Sequence, residues 1–133
     1  MTATAGTSLP ELRIPIDRTL IVAGAIASQD FEDVHHDPDA ARRRGASDIF
    51  MSINTTNGLV DRYLTDCAGP GARLHSVSLR LGMPLFPGDM LAFTGEITEL
   101  RGDTATVTVR GSHDRGIHVT ATARITLSNG EDA

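Results

Sequence analysis

The sequence predicts an α+β domain in which an antiparallel sheet curls round one long helix, and three observations carry that expectation. First, Ile117, Val119, Ala121, Ala123, Ile125 and Leu127 alternate with His118, Thr120, Thr122, Arg124, Thr126 and Ser128, a period of two that gives a strand one buried and one wet face. Second, no charged residue falls between Ile49 and Val60, so even the polar face of a helix there is expected to be covered. Third, turn residues separate the apolar runs of the C-terminal half: Pro84 with Pro87-Gly88-Asp89, then Arg101-Gly102-Asp103, then His113-Asp114-Arg115-Gly116.

Taken in chain order, residues 1–8 are small and polar and read as a loose tail. The run from Leu20 to Ala27 is small, apolar and strand-like. Asp37-Pro38-Asp39-Ala40-Ala41 reads as a cap and first turn of a short helix. A longer helix is expected to begin with Ser47-Asp48 as caps and to end at Gly69-Pro70, with Ile53, Val60, Leu64 and Cys67 on one stripe. Four strands follow. Val77, Leu79 and Leu81 alternate with Ser76, Ser78 and Arg80; Leu91, Phe93 and Ile97 have polar neighbours; Ala105, Val107 and Val109 are interleaved with threonines; the twelve-residue alternation comes last. Residues 129–133 read as a second loose tail, and the 133 residues as a single domain with no repeat or linker.

The chemistry is concentrated in Asp30-Phe31-Glu32-Asp33-Val34-His35-His36-Asp37. Asp30 and His35 supply a carboxylate and an imidazole from one short segment, a potential acid/base pair. In a straight strand they would stand roughly 17 Å apart, so they can share a water only if the chain turns between them. Asp30 is expected at the end of the Leu20–Ala27 strand, with His35 in the loop beyond. Two other readings stand beside this one. A loop of Asp, Glu and His can be merely solvated, and His35, His36 and Asp37 are ligand types for zinc, although adjacent side chains in an extended loop diverge and no helical or CxxC spacing is present. No metal site is expected.

Seventeen acidic against twelve basic residues give a formal net charge of −5, the wrong sign for a general nucleic-acid binder, and one Tyr and four Phe leave little for base stacking. No apolar run approaches the ~20 residues that span a bilayer, and the N-terminus does not read as a signal peptide. The single Cys67 has no partner within the chain and reads as a structural thiol in a reducing compartment. The expectation is a cytoplasmic protein that binds neither nucleic acid nor membrane. Arg42-Arg43-Arg44 suits the C-terminal end of the short helix, where cations are favoured, and also suits a phosphate. Arg101-Gly102-Asp103 is read as a hairpin turn. His75, His113 and His118 read as surface or strand-face histidines.

These residues resemble the MaoC-like, (R)-specific enoyl-CoA hydratases, whose signature is approximately G-D-x-N-P-[LIV]-H-x-D. Asp30 takes its Asp position, Val34 the aliphatic one, His35 the His and Asp37 the final Asp, whereas Gln29 replaces the Gly and Glu32-Asp33 replaces Asn-Pro. Pro84-Leu85-Phe86-Pro87-Gly88-Asp89-Met90-Leu91 is similar to the family's P-x-x-x-G-D-x-L, and the resemblance runs from about Thr19 to Leu127. It implies a hot-dog fold, Asp30 and His35 as catalytic residues hydrating a 2-enoyl-CoA thioester, and no cofactor, CoA being part of the substrate. Backbone N–H groups near the start of the long helix, at Met51 and Ser52, are then expected to stabilise the thioester oxygen.

Asp30 to Asp37, Ser47-Asp48-Ile49-Phe50, Gly58 to Asp66 and Ala68-Gly69-Pro70 together resemble the small MaoC-like subunits of heteromeric steroid side-chain hydratases in actinobacterial cholesterol catabolism. That resemblance implies a larger MaoC-like partner carrying a DUF35-type domain, in a heterotetramer. The alternatives are a homodimeric hydratase or dehydratase of fatty-acyl thioesters, a thioesterase, and a scaffold subunit without catalysis.

Overall fold

The computed structural model describes residues 4–127; the first three residues, Ser128 and the expected tail at 129–133 lie outside them. Five strands form one antiparallel sheet: β1 (Ser8–Pro15), β2 (Arg73–Leu81), β3 (Met90–Arg101), β4 (Thr104–His113) and β5 (Gly116–Thr126). Their order across the sheet is β1-β3-β4-β5-β2. The helices are α1 (Arg18–Ala27), α2 (Pro38–Arg43) and α3 (Ile53–Ala68), with one 3₁₀ turn at Asp33–His35. The single sheet round a long helix agrees with the expectation.

Helix α3 lies against the sheet through Thr56, Val60, Tyr63, Leu64 and Ala68, all buried, a stripe with helical spacing. Tyr63 stacks on Phe93 of β3 with ring centroids 5.4 Å apart, a contact worth about 0.5–1.5 kcal/mol beyond burial, and its hydroxyl donates to the Pro10 carbonyl of β1 (2.7 Å). Gly69 ends the helix with φ +88°, a conformation glycine adopts without a Cβ penalty. The start differs from the expectation. Ser47 and Asp48 do not cap α3; Ser52 does, its hydroxyl accepting from Asn54 N–H (3.1 Å), while Asp48 is taken by a two-pronged ion pair with Arg18. Ile53 therefore stands at the first turn and is 48 % exposed rather than part of the buried stripe.

Two further expectations are corrected. Leu20 to Ala27 is helix, not strand: Asp17 caps it by accepting from Leu20 N–H (2.7 Å), and the buried residues Ile21 and Ala25 are four apart, on one helical face. Gly24 permits α1 to touch α3, since a Cβ there would fall 2.4 Å from Thr55 Oγ1. Part of the expected N-terminal tail, together with the segment after it, is β1, which pairs with β3 through an irregular register between Leu9 and Leu12. Pro10 and Pro15 obscure its alternation and confine it to an edge.

The β5 alternation holds from Val119 to Ile125 and breaks at its start. Gly111 pairs with Val119 but Ser112 pairs with Ile117, so one extra residue in β5 reverses the facing of what precedes it. His118, expected on the wet face, is 2 % exposed, and Ile117, expected inside, is 41 % exposed. Arg101 and Thr104 close the β3–β4 hairpin over Gly102-Asp103, as the turn reading had it, and α2 carries Asp37 as its cap and Arg42 and Arg43 in its last turn.

Candidate active site

The carboxylate and imidazole do converge, by a route the sequence did not suggest. Helix α1 ends in a Schellman turn: Gln29 N–H bonds Ile26 C=O (3.0 Å), and Asp30 N–H bonds Ala25 C=O (2.8 Å). Gln29 occupies the left-handed position, φ +59°, where the family signature carries glycine. This turn aims Asp30 back toward the 3₁₀ turn that bears His35. His35 Nε2 stands 3.2 Å from Asp30 Oδ2, both side chains largely sheltered at 9 % and 16 % exposure.

The first turn of α3 completes the geometry. Ser52 Oγ donates to Asp30 Oδ2 (2.5 Å), and the Phe50 carbonyl lies 2.6 Å from His35 Nδ1. A carbonyl can only accept, so Nδ1 carries the proton and Nε2 is the nitrogen left to exchange one beside Asp30. The Ser52 hydroxyl holds the Asp30 carboxyl below its ordinary range; burial opposes this, and Glu32 N–H and the neighbouring imidazoles reinforce it. Sequence reasoning singled out Ser52 for its backbone alone and missed its side chain. Its position as a cap-type residue directly before Ile53 was the available signal.

Of the two expected oxyanion donors, Met51 N–H is already engaged by the Leu85 carbonyl (3.1 Å), because the Pro84–Phe86 segment runs alongside it. Ser52 N–H, at the helix cap, is the one that remains. The residues of the metal reading go to separate partners: His35 to Asp30 and Phe50, His36 Nε2 to the Asp30 carbonyl (3.1 Å), and Asp37 to the N-terminus of α2. Among the described residues no three His, Cys, Asp or Glu side chains gather as ligands.

Asp30 and His35 open into a cavity of about 300 Å³ whose other walls include Phe50, Met51, Ile53, Leu81, Pro84 and His118. His118 is fixed there by Thr56 Oγ1 and the Met83 carbonyl, each 2.8 Å away, and burial holds its pKa below the ordinary histidine value. A larger concavity, about 790 Å³, lies on the outer face of the sheet among Ser78, Arg80, Thr94, Thr108, Arg110 and Thr120. Its lining has no imidazole and shares no residue with that of the smaller cavity. In the arginine triplet, Arg42 pairs with Asp39 and Arg44 with Asp33.

A five-stranded antiparallel sheet wrapped on one long helix is the arrangement of the hot-dog fold. No protein-family model matches the chain, but similar proteins place it within that class. It is 48 % identical over 122 residues, 92 % of this chain and 95 % of the other, to the 3-oxo-4,17-pregnadiene-20-carboxyl-CoA hydratase beta subunit of Mycobacterium tuberculosis. The ChsH1–ChsH2 complex of Mycobacterium tuberculosis contains a chain matching with TM-score 0.93 and 46 % identity, over 96 % of this chain and 100 % of that one. The (R)-hydratase of A. caviae involved in PHA biosynthesis matches with TM-score 0.87 and 26 % identity, over 96 % of this chain and 98 % of its own. The chain belongs to the family of that steroid-CoA hydratase subunit, among the MaoC-like enoyl-CoA hydratases.

Proposed function

We propose that this chain hydrates a 2-enoyl-CoA thioester on a steroid side chain to the 3-hydroxyacyl-CoA, as the subunit that carries the catalytic pair of a heteromeric hydratase. The observation that carries the reading is the convergence of Asp30 and His35 on one small cavity, with the buried Ser52 hydroxyl bonded to Asp30 behind them. Hydration needs a water held at C3, a proton delivered to C2, and relief of negative charge on the thioester oxygen. The Asp30 carboxylate and His35 Nε2 hold the water between them; the proton taken from it passes within the pair and returns to C2 on the same face. Positioned proton transfer of this kind contributes ~10²–10⁴-fold. Ser52 N–H, at the positive end of α3, receives the charge on the thioester oxygen. Nothing in these steps calls for a cofactor beyond the CoA of the substrate. An unpaired Cys67 fits the cytoplasm as the compartment.

The partner is a second MaoC-like chain, which we take to be the larger, DUF35-bearing subunit in a heterotetramer. The cavity is at the lower end of the ~300–1,000 Å³ range of ligand sites, small for a four-ring acyl group. In its lining Ile53 and Leu81 are 48 % and 39 % exposed, and Met83 and Ile117, next in the chain to the lining residues Gly82, Pro84 and His118, are 44 % and 41 % exposed; among the described residues strand β2 has a neighbour on one side only. An exposed apolar rim beside an open strand edge suits a protein partner that supplies the missing room.

The test is co-expression with the larger subunit and mass spectrometry of the product formed from a steroid 2-enoyl-CoA. Addition of one water is expected. Asp30→Asn and His35→Ala should each lower turnover by ~10²–10⁴-fold with assembly intact, and this chain alone should be weakly active. Unchanged turnover in both variants would leave a scaffold role instead.

A further inference from the structure

We infer that Arg115, on the β4–β5 turn, is a positioning residue for His35, acting through Phe86 and Phe50; the inference rests on the catalytic reading of His35 given above. The guanidinium makes a two-pronged bond to Asp89, Nη1 to Oδ1 and Nη2 to Oδ2, both 2.6 Å, and Nη2 also donates to the Pro84 carbonyl (3.1 Å). Its carbon lies 5.1 Å over the centre of the Phe86 ring. Asp89 in turn accepts from Phe86 N–H (2.7 Å), so backbone and ring of Phe86 are held by one ion pair. Arginine's flat fork suits this combination of bidentate pairing and ring stacking, which lysine cannot reproduce.

From Phe86 the contact passes inward. Its ring meets Phe50 edge-on at 6.4 Å, and Phe50 meets the His35 imidazole edge-on at 5.2 Å. Alongside the rings runs a backbone connection: Leu85, between Pro84 and Phe86, accepts from Met51 N–H (3.1 Å), next to the Phe50 carbonyl that binds His35 Nδ1. Phe50 therefore sets both the proton on Nδ1 and the tilt of the ring. An exposed ion pair contributes little to stability, but the Asp89 side chain here is only 11 % exposed, and the segment it secures is a wall of the catalytic cavity. Arg115 does not line that cavity; its influence is on where the imidazole points, and a misplacement of ~1 Å can cost ~10²-fold in rate.

In the assembled enzyme, Arg115→Ala should lower kcat by about tenfold or more with KM nearly unchanged, and Arg115→Lys should fall between. Phe86→Leu, which keeps the Arg115–Asp89 pair but removes the ring, should reproduce the kcat loss. The decisive reading needs no substrate: the ¹⁵N and proton resonances of His35 Nδ1–H, in ¹⁵N-histidine-labelled chain within the complex, should shift in both Arg115→Ala and Phe86→Leu. Unchanged resonances and kcat in Arg115→Ala would overturn the inference, as would a loss in that variant that Phe86→Leu does not share. If Arg115→Ala does not assemble, the Lys and Leu variants decide in the same way. Shifted resonances in a complex whose wild type hydrates no enoyl-CoA would preserve the positioning and refute the catalytic reading.

Discussion

Ser52→Ala tests the least expected element of the site. The Ser52 hydroxyl, in a fully buried residue, makes two bonds: it donates to Asp30 Oδ2 (2.5 Å) and accepts from Asn54 N–H (3.1 Å). The first is a hydrogen bond to a charged group, worth about 1.5–3 kcal/mol; the second is a helix cap, worth about 1 kcal/mol. Removing both should cost roughly 2.5–4 kcal/mol at neutral pH. The two parts separate in a double-mutant cycle with Asp30→Asn, followed by urea unfolding, because only the first depends on the carboxylate. A coupling energy of about 1.5 kcal/mol or more is expected.

The pH dependence has a definite sign. Asp30 is held below its ordinary value, so its contribution to stability is complete above the unfolded value of about 3.9 and is lost as pH falls through the lower, folded one. Without the hydroxyl the carboxyl rises, and the acid limb of the kcat profile should move to higher pH. Coupling below about 0.5 kcal/mol, together with an unmoved acid limb, would refute the claim that Ser52 holds the Asp30 charge.

Two further outcomes follow from the same region. Gln29 holds the left-handed position of the Schellman turn at φ +59°, at a cost of about 1–2 kcal/mol to an L-residue. Gln29→Gly removes that cost but loosens the unfolded chain by about 0.4–1 kcal/mol, so Tm should rise by a few degrees, and an unchanged or lower Tm would show that the turn is not strained. His118 is kept neutral mainly by burial, with His113 nearby adding to the effect and the Met83 carbonyl and Asp89 opposing it. Below about pH 6.5 the unfolded chain takes up a proton that the folded chain refuses, so stability is full above that pH and falls as pH drops toward the lower folded value. In urea unfolding between about pH 7 and 5, His118→Asn should therefore show a shallower decline, by at most about 1.4 kcal/mol per pH unit; parallel declines would count against a buried neutral imidazole.

What this sequence determined alone is whatever depends on neighbours a few residues away. The alternation of β5 from Val119 onward, the Asp37-Pro38 start of α2, the Gly69 end of α3 and the turn at Gly102-Asp103 are set by local backbone preference, and a carboxylate and an imidazole close together in one short segment, which also resembles a family signature, single out Asp30 and His35. Where local preference and tertiary packing disagree, packing prevailed. Leu20 to Ala27 looks strand-like because Ile21, Val22 and Ile26 are β-branched, yet burial of Ile21 and Ala25 on one face and the close seat of Gly24 on α3 favour a helix, which Asp17 caps locally.

Tertiary structure alone decided the working parts of the site. A single extra residue in β5 turned His118 inward. The contact of Ser52 with Asp30 spans 22 residues, that of His35 with the Phe50 carbonyl 15, and that of Arg115 with Asp89 26. No periodicity of two or 3.6 encodes such separations; they exist only once burial of Val60, Tyr63 and Leu64 against the sheet has brought the start of α3 beside the end of α1. Hydrophobic burial is non-directional, so it is the packed chain, with its caps and bulges, that fixes which polar groups meet.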